Sequence, residues 1–87
     1  MSVERGWWEK PVRIERDRYG RWLNVSSSAQ ADRILTEEWP GDPGPKHLAA
    51  RKAVFAARQN ALDATRQAAA RQAFHEAAKE AGIAIGD

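Results

Sequence analysis

Residues 11–40, "PVRIERDRYGRWLNVSSSAQADRILTEEWP", change their hydrophobic period part-way along, and that change sets the fold. Val12 and Ile14 alternate with Arg13 and Glu15. Leu23 and Val25 alternate in the same way with Trp22 and Asn24, the period-two signature of half-buried strands. Between the two runs "DRYG" (17–20) supplies Asp where a turn is entered and Gly where a positive φ is cheap. The expectation is a β-hairpin with Val12, Ile14, Leu23 and Val25 on its inner face. Trp22 then points outward with Arg13, Glu15 and Asn24.

From the serines onward the period becomes helical. Ala31, Ile34, Leu35 and Trp39 fall on one side at helical spacing. Ser27 is the expected N-cap, with Gln30 three residues later to complete a capping box. Pro40 stops the helix and "PGDPGP" (40–45) is a stiff loop, with Pro45 suited to the first turn of the next helix. That second helix, read as 46–62, carries two apolar strips. Ala50, Val54, Ala57 and Ala61 form one. Leu48, Phe55 and Leu62, seven apart, form the other, and Arg51 and Arg58 lie between them. After a break near 63–65 a third helix runs to Ala81, with Gly82 as its C-cap and Ala70, Phe74, Ala77, Ala78 and Ala81 as its buried face. The alanines let it approach a neighbour closely, with Phe74 as the one large anchor. Ile83–Ile85 alternate and are able to add a short third strand.

The fold class expected is therefore α+β in two layers: a hairpin, three helices and an optional C-terminal strand. Eighty-seven residues suffice for one domain, taken as 11–87 behind an N-terminal arm of residues 1–10. The core is expected to hold Val12, Ile14, Leu23, Val25, Ile34, Leu35, Trp39, Val54, Leu62 and Phe74.

Along this chain sit residues 11–12 (Pro-Val), Ala31, Leu35, Trp39-Pro40, Ala61-Leu62 and the run "ARQAFHEAAKEAGI" (70–83). Together they resemble a family of small bacterial proteins described as a domain of unknown function, family 982, over roughly residues 11–85. The resemblance implies a compact α+β domain and brings no activity or catalytic residues with it. A glycine often stands in that family where this chain has Ala64, so the turn into the third helix is expected to differ.

Composition excludes several kinds of work. With no cysteine there is no disulfide framework, thiolate metal site or cysteine nucleophile. No run approaches the ~20 apolar residues of a membrane span, and the charged N-terminus lacks the apolar core of a signal peptide, so a soluble cytoplasmic protein is expected. His47 and His75 have no carboxylate or second histidine at ligand spacing on their own helices, and are read as solvated. Ser26, Ser27 and Ser28 are explained by capping, and Gly41 and Gly44 precede no P-loop lysine. No catalytic, cofactor or metal site is expected, and the chain is not read as an enzyme.

Charge is small overall, +2, but unevenly spread. Residues 46–75 carry six basic groups against Asp63 alone, whereas residues 26–45 carry one basic group against four acidic ones. Internal matching follows from this, and Arg71 is expected to pair with Asp32, Glu37 or Glu38. Two binding readings remain. The first is a non-catalytic protein–protein interaction module engaging an unknown partner or a second copy as a homodimer. Its candidate surface comprises Trp7, Trp8, Trp22, Leu48, Arg51, Phe55 and Arg58, because four tryptophans exceed what so small a core can easily bury. Trp7 and Trp8 either fold over Trp22 or stay exposed. The second reading, ranked lower for the modest net charge, is nucleic-acid binding through Arg13, Arg16, Arg18, Tyr19 and Arg21 on the hairpin.

Overall fold

A computed structural model describes residues 7–16 and 20–85. Strand β1 (Trp7–Glu15) and strand β2 (Trp22–Ser27) form an antiparallel hairpin. Three helices follow: α1 (Ser28–Glu37), α2 (Pro45–Gln59) and α3 (Ala64–Ala81). The sheet makes one layer and the helices the other. Val12 pairs with Val25 and Ile14 with Leu23, so the expected inner face is formed in register. Val12, Ile14 and Val25 are buried and Leu23 packs partly buried beside them. Gly20 takes a φ of +83°, where a side chain would be strained, and Arg16 N–H donates to Arg21 C=O across the turn at 2.7 Å. Asp17, Arg18 and Tyr19, with their proposed turn and nucleic-acid roles, lie outside the described residues, as do residues 1–6 of the expected arm.

Residues 7–10 are not an arm: β1 begins at Trp7, which pairs with Ser27, and the register shifts between Trp7 and Val12. Pro11 has no N–H, and it sits where the regular ladder is interrupted. The optional third strand is reduced to one bridge between Ile14 and Ala84. Glu15 N–H donates to Ile83 C=O (2.8 Å) and Ile85 N–H to Arg13 C=O (2.9 Å).

Ser27 caps α1 as expected, its Oγ accepting from Gln30 N–H at 3.1 Å. The reciprocal half of the capping box differs. The Gln30 amide turns to β2 instead, accepting from Ser26 N–H and donating to Asn24 C=O, both at 3.0 Å. Those two groups point away from β1, because Leu23 and Val25 face it. Gln30 thus occupies the place of a neighbouring strand.

Ala50, Val54 and Ala57 of α2 and Ala70, Ala77 and Ala78 of α3 are all buried, and small residues on both helices let them pack closely. Phe74 lies fully buried at the centre, with Trp8 and Trp39 rings 5.7 and 5.8 Å from its own. Asp63 caps α3 through Arg66 N–H (3.1 Å), and Ala64, where the family often has glycine, is simply its first residue. Gly82 ends α3 in the left-handed region, φ +75°. The α2 N-terminus has no side-chain cap of its own; Glu80 of α3 supplies one, accepting from Lys46 N–H at 3.2 Å.

Three core expectations are corrected. Leu62 is exposed. The helix ends at Gln59 and the chain reverses through 60–63, with Asp63 N–H on Asn60 C=O. Of the two strips on α2, only the small-residue one faces α3. His47 is buried, because it stands three and seven residues before Ala50 and Val54 on that inner strip. Its Nε2–H donates to Leu35 C=O at 2.9 Å and its ring meets Trp39 edge-on at 5.1 Å. His75 is partly buried, not solvated, and its Nε2 has no hydrogen-bond partner among the described residues.

The loop before α2 lies on the end of α3. A Cβ placed on Gly41 would come 2.7 Å from Cβ of Ala81, a contact no side-chain rotation relieves. Gly41→Ala is therefore expected to cost about 1–3 kcal/mol. The loss should shrink in an Ala81→Gly background, measured by denaturant unfolding of the four variants of the cycle; equal losses in both backgrounds would contradict this packing.

Candidate interaction surfaces

The two adjacent tryptophans are separated by strand alternation. Trp8 points inward, 7% exposed against Phe74, on the far side of the register shift from Val12 and Ile14. It is removed from the candidate surface. Its indole N–H donates to Ser28 Oγ (3.1 Å), the Ser28 hydroxyl donates to Gln67 Oε1, and Gln67 Nε2 donates to Ala57 C=O (2.8 Å) and Asn60 C=O (3.3 Å). This buried chain ties β1, α1, α3 and the end of α2 together. Sequence reasoning missed it, although one signal was present: Gln67 precedes Ala70 and Phe74 by three and seven, a polar side chain on the apolar face.

Trp7, pointing the other way, is 51% exposed. So is Trp22 on the outer hairpin face, and Trp8 does not cover it. The Arg13 guanidinium lies over the Trp22 ring, 4.9 Å from its centroid, and Arg13 Nε donates to Asn24 Oδ1 at 3.4 Å. Such an exposed cation–π contact contributes about 0.5–1 kcal/mol and covers one face of the indole. Glu15 pairs directly opposite Trp22. Arg16 and Arg21 are exposed at the turn end of the hairpin.

On α2, Leu48 and Phe55 are the large exposed side chains of the outer strip, Phe55 at 63%. At 100° per residue Arg51 and Lys52 fall to either side of the line joining them, and both are exposed without a partner among the described residues. Arg58 differs: it turns to Asp32 of α1 in an ion pair, the contact expected of Arg71. Arg71 has no carboxylate within 4 Å among the described residues; its Nε donates instead to Lys10 C=O at 2.8 Å. The reason is position. Arg58 lies on the helix that α1 packs against, whereas Arg71 projects toward the start of β1. There it borders a groove of 410 Å³ between Trp7–Lys10, the α2–α3 turn at Ala61 and Leu62, and the first turns of α3.

A scan against family models matches residues 10–85 to "Protein of unknown function (DUF982)", nearly the whole chain. The chain belongs to this family. No curated protein and no solved structure matches it. For this DUF982 member the expected resemblance is confirmed, and the α+β architecture it implied is the one observed. Within the described residues of the DUF982 chain no helix is long and apolar enough to cross a membrane.

Proposed function

We propose that this domain is a small cytoplasmic protein–protein interaction module that acts without catalysis, through the outer side of α2. The observation that carries the reading is the exposure of Leu48 and Phe55 on a helix whose inner strip already satisfies the core. Large apolar side chains bordered by arginine suit the centre of an interface. The occupant is a partner protein or a second copy of the chain.

The hairpin supports nucleic-acid binding less well. Arg13 is spent on Trp22, and Glu15 stands opposite that ring. Sedimentation over a wide concentration range, together with affinity capture from the native host, tests the proposal. Phe55→Asp should stay folded, since the site is exposed, and should abolish both self-association and capture. A strictly monomeric wild type whose captured proteins are unchanged by Phe55→Asp would overturn the reading. Affinity for mixed DNA and RNA that falls steeply with salt would replace it by the hairpin alternative.

A further inference from the structure

We propose that the groove beside β1 binds a small monoanionic carboxylate with an apolar body, held by Arg71. Three arginines follow one another along the end of α2 and along α3, and they differ in their partners. Arg58 meets Asp32 and Arg66 meets Asp63. Arg71 is half-buried and meets no carboxylate among the described residues. Its Nε is fixed at 2.8 Å on Lys10 C=O, which sets the plane of the guanidinium and leaves both Nη groups without an acceptor among the described residues. A planar fork held in this way is preorganised to receive two oxygens of one carboxylate.

The groove supplies the rest. Trp7, Trp8, Ala61, Leu62 and Ala68 line it as apolar groups. Its 410 Å³ falls in the range of small-molecule sites, which are mostly apolar with few polar groups. Charge selects the ligand class. Lys10 and Arg71 are opposed by Glu9, leaving one net positive charge along the lining. A monoanion matches that balance, while a phosphate dianion would leave charge unmatched beside Glu9. The apolar body would cover the exposed Trp7 ring.

Phenylbutyrate, its uncharged analogue phenylbutyramide and inorganic phosphate are suitable probes, titrated into the full chain and followed by heteronuclear amide NMR. The carboxylate should shift amides of residues 7–10 and 61–72 saturably. The carboxamide should bind roughly tenfold or more weakly, because it loses charge-assisted hydrogen bonds. Phosphate should fail to displace the carboxylate. Arg71→Gln should remove binding. Ala68→Trp, which fills the groove and leaves Arg71 intact, should do the same with the rest of the spectrum unchanged, so the result does not hang on how Arg71→Gln folds. Phe55→Asp should bind phenylbutyrate as the wild type does, which separates this site from the α2 surface. No saturable shift, shifts centred elsewhere, a carboxamide as tight as the acid, phosphate displacing the probe, or undiminished binding in Ala68→Trp would each overturn the proposal.

Discussion

Phe74→Ala is expected to destabilise the domain by about 3–5 kcal/mol. The side chain is fully buried and stands between the rings of Trp8 and Trp39, so removing it leaves a void bordered by two rigid indoles. Neither indole can collapse into that void freely: Trp8 is tied to Ser28, and Trp39 also packs on His47. For a domain of this size the loss is a large share of total stability, and the melting temperature should fall by more than about 10 °C. Phe55→Ala, at an exposed site on α2, serves as the comparison and should change stability by about 0.5 kcal/mol or less. Comparable melting temperatures for the two variants would show that the aromatic cluster does not anchor the core.

Gln67→Met is the second large effect, expected at about 2–4 kcal/mol despite near-equal side-chain volume. The substitution takes away the acceptor of the Ser28 hydroxyl and the donor to Ala57 and Asn60 carbonyls, in a place largely closed to water. Each buried polar group left unmatched costs about 1–3 kcal/mol. Because the chain of bonds acts as a unit, Ser28→Ala should cost less in the Gln67→Met background than in the wild type. Urea unfolding of the four variants measures that coupling, and strictly additive losses would show that the bonds are independent.

The fold was legible because its elements follow simple periods. Val12, Ile14, Leu23 and Val25 announce the hairpin, and Ala70, Phe74, Ala77 and Ala78 the third helix. What was not legible followed from giving residue chemistry precedence over those same periods. His47 is read as solvated for want of a ligand-spaced partner on its own helix, although its spacing to Ala50 and Val54 puts it on the inner strip. Trp8 is read as part of an arm before the first strand, although β1 runs from Trp7 to Glu15 through a register shift near the proline. Arg71 found a backbone carbonyl in place of a carboxylate, since the relative placement of β1 and α3 is a tertiary outcome with no local signature. The candidate surfaces divide likewise. Leu48, Arg51 and Phe55 could be read from α2 alone, whereas the groove needs three separated segments to be brought together.

The Gln30 side chain has a consequence for how this molecule meets others. A two-stranded sheet has two unsatisfied borders, each a template on which a foreign chain can polymerise. Gln30 seals part of one by bonding Asn24 and Ser26. The other is occupied along Arg13–Glu15 by Ile83 and Ile85, while Pro11 offers no donor and Arg71 holds the carbonyl of Lys10. Recruitment by adding a strand, a common mode for small sheet domains, is thereby discouraged on both sides. A partner of the kind proposed above would then have to be selected by side chains on the helical layer, not by pairing with the sheet.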